Sequence, residues 1–256
     1  MATKIALFLC GNLSGEAYAQ NGNYTSIYGR YLQATVPESI QYTLDTYDVV
    51  HEMAYPSEDR EDSYNCIMLT GSAASAYENI EWINKLVDYL ARIAATKPHI
   101  KLIGICFGHQ IIARALGGEC VPNGGKWEVG PTTIQLTDLG KQLFHADTLT
   151  VQEMHRDHVP TVPPKFQLLA STSLSPNQGM VRYSETSPSA IQIATVQGHP
   201  EFTEPIVTSI INQRAASGVI DAEALQTAEE RRFVNTQDDA VNKFGKFFWD
   251  IILGKL

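Results

Sequence analysis

Short apolar runs alternate with helical periodicity over the first half of the chain. KIALFLC, residues 4–10, predicts a strand, YDVVHEM, 47–53, a second, and YNCIMLTGS, 64–72, a third that enters a turn at Gly71-Ser72. In AYENIEWINKLVDYLARIAA, Ile80, Ile83, Leu86, Val87, Leu90 and Ile93 recur at spacings of mostly three or four, a helix with one buried face. KLIGIC, 101–106, is an apolar strand buried on both faces. This alternation predicts βαβ units and a parallel sheet with helices on both sides.

The pattern changes beyond Cys120. PTTIQLT, TLTVQEMH, FQLLAST, GMVRY and AIQIATVQ are short strand-like runs set off by turn signals, with no long helix between them, so antiparallel pairing is expected there. After Pro205 the chain returns to helical patterns in VTSIINQRAA, DAEALQTAEERRFV and DAVNKFGKFFWDIIL, the last two with acidic residues near their starts. No repeat or linker interrupts the chain. We expect one α/β domain over residues 1–256, built on a central mixed, mostly parallel sheet flanked by helices. Its core would run over about 4–203, with an added C-terminal helical layer over about 204–256.

Composition narrows the class. The 256 residues are 44% hydrophobic and 18% charged, with a formal net charge of −9, the profile of a soluble protein with a sizeable core. A phosphate backbone demands clustered positive charge, and no Lys/Arg block occurs, so nucleic acid is not an expected partner. No stretch approaches the roughly 18 apolar residues of a membrane span. The N-terminus imitates a signal peptide, with Lys4, an apolar run and an A-x-A at Ala17–Ala19. The run covers only residues 5–10, shorter than the roughly 7–15 residues of a secretory core. A first strand followed by a turn fits better, and the sequons at Asn12 and Asn23 matter only for a secreted chain. The cysteines, Cys10, Cys66, Cys106 and Cys120, form no C-x-x-C pair, which suits a reducing, cytoplasmic compartment and supports no metal site.

Cys106 carries the candidate chemistry. In GICFGHQ it closes an apolar strand and opens a helix, with Gly104 and Gly108 two residues to either side. Such a strand-to-helix elbow presents a nucleophile at a helix N-terminus, where the dipole and unpaired amides favour a thiolate. The N–H of Phe107 can then face a developing oxyanion. The alternative is a core cysteine that lies near two glycines. A cysteine nucleophile needs a base, and the base an orienter. His51 falls in a predicted strand, His99 follows Pro98 in a loop, and His145 ends a short polar helix. His109, three residues after Cys106, is expected to point away from the elbow's open side. His199 ends the last predicted strand, where ligands gather in open sheets. Pro200 favours an extended His199, and in an extended segment Glu201 lies on the same side and can hold the imidazole. A solvated turn is the alternative for HPE taken alone.

GICFGHQ at 104–110 followed by QGHPEF at 197–202 resembles the class I, triad-type glutamine amidotransferases, over roughly Ile5 to Phe202. The resemblance implies a flavodoxin-like fold and a Cys-His-Glu triad of Cys106, His199 and Glu201. It also implies a substrate-binding role for Gln110, and a second oxyanion amide near Gly71 or Ser72 in LTGS. HRDHV resembles a family loop near the active site, with His155 and Asp157 in mainly architectural roles, and Trp127 and Glu128 of KWEVGPTTI shape the site. No cofactor is implied. The chain is most similar to stand-alone fungal amidotransferase-like proteins and plant γ-glutamyl peptidases. The implied reaction is hydrolysis or transfer of a γ-glutamyl amide, through a γ-glutamyl thioester on Cys106. γ-Glutamyl peptides such as glutathione conjugates are the preferred small-molecule substrate. Two alternatives stand: a glutaminase that supplies ammonia to a synthetase partner, and a non-catalytic regulator that keeps the fold.

Overall fold

The computed structural model describes residues 2–256. Strand β1, Thr3–Leu9, alternates its side chains as a strand buried on both faces must. Ile5 and Leu7 enter one core, Ala6 and Phe8 the other. It pairs in parallel with β2, Tyr42–Asp48, and with β3, Cys66–Leu69. Beyond β3 lie β4, Lys101–Ile105, and β11, Ile191–Val196, both parallel. The sheet then reverses sense through β10, Gly179–Tyr183, β9, Gln167–Ser171, β6, Glu128–Leu136, and β7, Thr148–His155. The result is a mixed nine-stranded sheet in the order β2-β1-β3-β4-β11-β10-β9-β6-β7; four of its parallel strands come from the βαβ half of the sequence, and the fifth, β11, expected among the antiparallel strands, is antiparallel to β10 but parallel to β4. A separate small ribbon joins β5, Val121–Pro122, to β8, Asp157–His158.

One face of the sheet carries α4, Glu81–Thr96, and α5, Phe107–Ala115. The other carries α2, Tyr24–Thr35, α7, Glu204–Ala216, and the C-terminal helix α9, Lys246–Ile252, with Trp249 fully buried. Shorter helices are α1, Gly15–Asn21, α3, Glu58–Glu61, and α6, Asp138–Phe144; α8, Ala222–Arg231, packs along β6. Among the described residues, no helix is long and apolar enough to cross a membrane.

Three expectations need correction. The second strand lies at Tyr42–Asp48, five residues earlier than YDVVHEM suggests. Asp48 Oδ1 accepts the N–H groups of Val50 and His51, an Asx turn that ends the strand and leaves His51 exposed in a bend. The N-terminal strand is followed by two helices, not a turn alone. In α2 the buried face is Tyr24, Ile27, Tyr28, Tyr31 and Leu32, a helical pattern written largely in tyrosine, and Asn23 caps it by accepting Ser26 N–H at 2.9 Å. The final predicted helix is divided: a π-helical segment, Asp239–Gly245, precedes α9. Gly245 lets it approach Thr35 of α2, where a Cβ would have no room.

Register decides where the chemistry falls. Leu69 stands opposite Gly104, and Ile105 opposite Val196, so three adjacent parallel strands end together. The segments that leave them contain Gly71-Ser72, Cys106 and His199, at the carboxyl edge where open α/β sheets bind ligands.

Candidate functional site

Cys106 adopts φ 54°, ψ −104°, a backbone conformation that costs a non-glycine residue about 1–3 kcal/mol and persists only where its surroundings impose it. The surroundings are specific. Cys106 N–H donates to Val196 O at 2.9 Å, and the Cys106 carbonyl accepts Gln110 N–H at 3.1 Å as α5 begins. A Cβ on Gly104 would lie 2.4 Å from Gly108 O, and one on Gly108 would lie 2.7 Å from Leu69 O. Both glycines therefore permit backbone approaches that no side chain allows, and the expected elbow is present. Phe107 is the first residue of α5, so its N–H has no intrahelical acceptor. Gly71 packs against the reactive groups: a Cβ there would be 2.8 Å from His199 Cε1 and 3.7 Å from Cys106 Cβ. Ser72 lines the pocket at Cys106 and accepts Ala74 N–H on its hydroxyl at 3.1 Å.

His199 and Glu201 meet as the spacing suggests, but by a different backbone route. His199 N–H donates to Gln152 O at 2.7 Å, and Phe202 N–H returns to His199 O at 3.2 Å, closing a turn with Pro200 in its second position. His199 itself forms an antiparallel bridge with Gln152, and the chain turns after it at Pro200, so the segment is buried and not a solvated turn. His199 Nδ1 and Glu201 Oε1 are 2.7 Å apart, with both residues buried. Phe202 stacks on the imidazole at 4.1 Å between ring centres, with the planes 3° apart. Burial alone would favour a neutral imidazole. The charge of Glu201, followed by that of Cys106, outweighs burial and draws its pKa up to about 10. Tyr28 stays a protonated phenol beside this pair, mainly through burial and then through the charge of Glu201.

The other candidates separate clearly. Gln110 is buried, and its Nε2 donates to Asp157 O at 2.9 Å and to Gln197 Oε1 at 3.0 Å. It ties α5 to two neighbouring segments and is not among the residues lining the pocket at Cys106. His109 is fully buried, with Nδ1 2.7 Å from Thr195 Oγ1, and burial, then the charge of His155, lower its pKa to about 3. His155 lies between Glu128 at 3.1 Å and Glu153 at 3.2 Å. Burial opposes its protonation, but the two carboxylates prevail and raise it well above the usual imidazole range. Asp157 accepts Ser75 Oγ–H at 2.6 Å. His99 sits 3.4 Å from Asp62, and His145 caps α6 in a left-handed conformation. Among the described residues, no cluster of His, Cys, Asp and Glu is suited to a metal.

Cys106 and His199 open into a pocket of about 150 Å³. A larger concavity, about 720 Å³, lies between β6 and α8 and does not include Cys106. The smaller pocket also contains Tyr24 from α2 and Arg214 from α7, two residues outside every motif recognised in the sequence. Nothing in local pattern marks them, because helix packing alone brings them to the sheet edge.

This arrangement agrees with what the chain is similar to. A glutamine amidotransferase-like protein of Schizosaccharomyces pombe is 35% identical over 177 residues, 69% of this chain and 68% of that protein. Gamma-glutamyl peptidase 4 of Arabidopsis thaliana is 28% identical over 241 residues, 92% of this chain and 90% of that one. The crystal structure of a glutamine amidotransferase from Thermotoga maritima shares the fold, with a TM-score of 0.68 at 16% identity, covering 98% of this chain and 99% of that one. The family model for class I glutamine amidotransferases matches residues 23–213, a span that contains the elbow and the His-Pro-Glu turn and ends beside Arg214. The chain belongs to the class I glutamine amidotransferase family.

Proposed function

We propose that this protein cleaves γ-glutamyl amides through a covalent thioester on Cys106, with γ-glutamyl peptides preferred over glutamine. The observation that carries the reading is the buried His199–Glu201 pair, 2.7 Å apart, set beside a cysteine on a strained elbow. An imidazolium next to a cysteine favours its thiolate. The Cys106 sulfur attacks the γ-carbonyl carbon and forms a C–S bond. The oxygen takes up negative charge, which Phe107 N–H and an amide at Gly71 or Ser72 stabilise. His199 gives its proton to the leaving nitrogen as the C–N bond breaks, and the amine departs. Water then attacks the thioester carbon and gives a proton to His199. The C–S bond breaks as glutamate is released, which returns the Cys106 sulfur and protonated His199 to their starting state; an amine in place of water gives transfer. Glu201 holds the imidazole throughout and accepts from Nδ1.

The preference for peptides rests on the Arabidopsis relative, whose likeness extends over nine-tenths of its length. Glutamine is the competing substrate, since the family takes its name from it. The test compares kcat/KM for glutamine and for γ-glutamyl-cysteinyl-glycine on one preparation, with Cys106→Ala and His199→Ala as blanks. Turnover of the peptide without any partner, lost in both blanks, is the expected result. A tenfold preference for glutamine, about 1.4 kcal/mol of transition-state binding, would reverse the choice of substrate and direct attention to a synthetase partner. Full turnover in either blank would remove the triad.

A further inference from the structure

The pocket at Cys106 has one cationic wall. Arg214 reaches it from α7, half-buried, with its guanidinium over the Trp127 ring at 5.2 Å from the ring centre. Arg156 stands over the same indole at 5.7 Å. Every other arginine gives its guanidinium to a carboxylate, a carbonyl or a side-chain oxygen: Arg60 to Asp45, Arg92 to Glu61, Arg232 to Glu204, and the remainder chiefly to backbone carbonyls. Among the described residues, Arg156 and Arg214 have no side-chain hydrogen bond and no carboxylate within 4 Å. Two neighbouring guanidinium groups with no anion between them repel each other, and a bound anion relieves the repulsion. Together they make this neighbourhood locally positive in a chain of net charge −9, which favours anions near Arg214. An arginine over an aromatic face can still offer its N–H fork to a two-oxygen acceptor.

We propose that Arg214 binds a carboxylate of the substrate and so selects γ-glutamyl compounds, with Arg156 as a weaker, more exposed second cation; this rests on the function proposed above. A pocket of about 150 Å³ is below the roughly 300 Å³ of a site that encloses a drug-sized ligand, so it takes one amino-acid-sized group and leaves the rest of a peptide outside. The carboxylate is either the α-carboxylate of the γ-glutamyl group or the terminal carboxylate of the departing peptide. No bond is made or broken at Arg214, which acts on binding.

The test uses three ligands: glutathione, its glycine ethyl ester, which lacks the terminal carboxylate, and glutamine, which has only the α-carboxylate. Wild type, Arg214→Gln and Arg214→Lys are compared, each checked for an unchanged melting profile. For Arg214→Gln, KM for glutathione is expected to rise about ten- to a hundredfold, the loss of a charged hydrogen-bonded contact, with kcat little changed. Arg214→Lys should recover part of the loss. An equal rise for all three ligands assigns the α-carboxylate, and a rise for glutathione alone assigns the terminal one. KM values that stay within about twofold for all three overturn the proposal. Calorimetric binding of the same ligands to Cys106→Ala, with and without Arg214→Gln, needs no turnover. Weaker binding on removal of Arg214, in a protein whose wild type is inactive on all three, keeps the carboxylate site and removes the reaction. Binding that ignores Arg214 removes the site and leaves the reaction standing. No binding of any of the three removes both.

Discussion

The four cysteines differ in their surroundings. Burial raises the Cys10 thiol to about 12 despite two contacts from Thr70, and raises Cys66 and Cys120 higher still. Cys106 lines a pocket and has His199 beside it. Brief iodoacetamide treatment of the folded protein, followed by peptide mapping, should therefore modify Cys106 first. Equal labelling of all four would contradict the elbow assignment. His109 provides a pH test. Its pKa is about 3 in the fold, against about 6.5 in an unfolded chain, so between these values the unfolded state holds a proton that the folded state refuses. Its contribution is fully present above pH 6.5 and is lost as pH falls toward 3. At pH 5 the loss is about 2 kcal/mol. His109→Gln should lack this slope. Urea unfolding at pH 7 and pH 5 should show the variant gaining on wild type by that amount at the lower pH. Identical pH dependence in the two proteins would mean that His109 is hydrated and not buried.

At the scale of elements, the elbow depends on β4 and α5 coming closer than side chains allow. Gly104→Ala places a methyl 2.4 Å from Gly108 O, which is backbone and cannot swing aside. Such overpacking costs about 1–3 kcal/mol or more, and here it also shifts Cys106. Gly29 is a control within the same protein. It lies inside α2 with nothing within 4 Å of an added methyl, so Gly29→Ala should stabilise by about 0.5–1 kcal/mol through helix propensity. Chemical denaturation of both variants distinguishes the cases, and a Gly104→Ala protein as stable as wild type would show that the elbow is not close-packed. The glycines at 104 and 108 were legible as an elbow because a strand, one polar residue and a helix leave a distinctive apolar pattern. The α2 helix was not read from the sequence: its buried face is Tyr24, Ile27, Tyr28, Tyr31 and Leu32, and tyrosine, enriched in strands and carrying a polar hydroxyl, gives a weak helical signal.

For the whole molecule, the C-terminal helices are a structural part of the sheet's second face. Ile206, Val207, Ile210 and Ile211 of α7 and Phe247, Phe248 and Trp249 of α9 are buried in the same cluster as Ile5 and Leu7 of β1. Each large buried side chain contributes about 1.5–3 kcal/mol, in sum as large as the roughly 5–15 kcal/mol by which a domain is stable. A chain that stops at residue 203 is expected to be insoluble or unfolded by circular dichroism. A folded, soluble truncate would show that residues 204–256 are an attachment to an independent core.

What the sequence determined is what depends on short range. Strand and helix periodicity, the elbow at Cys106 and the pairing of His199 with Glu201 each involve residues within one helical turn or one tight turn of each other. Cys106 and His199 are 93 positions apart in sequence, and for their proximity a family motif stood in for geometry. Only the tertiary structure decided three things. Register brought the ends of β3, β4 and β11 level, so that Gly71, Cys106 and His199 meet. The segments packed on α5 supplied the Gln110 amide with its acceptors, Asp157 O and Gln197 Oε1. The docking of α7 on the sheet brought Arg214 to the pocket that Cys106 lines. These outcomes follow from burial of apolar surface between elements distant in the chain, a force that has no direction along the sequence and leaves no local pattern to read.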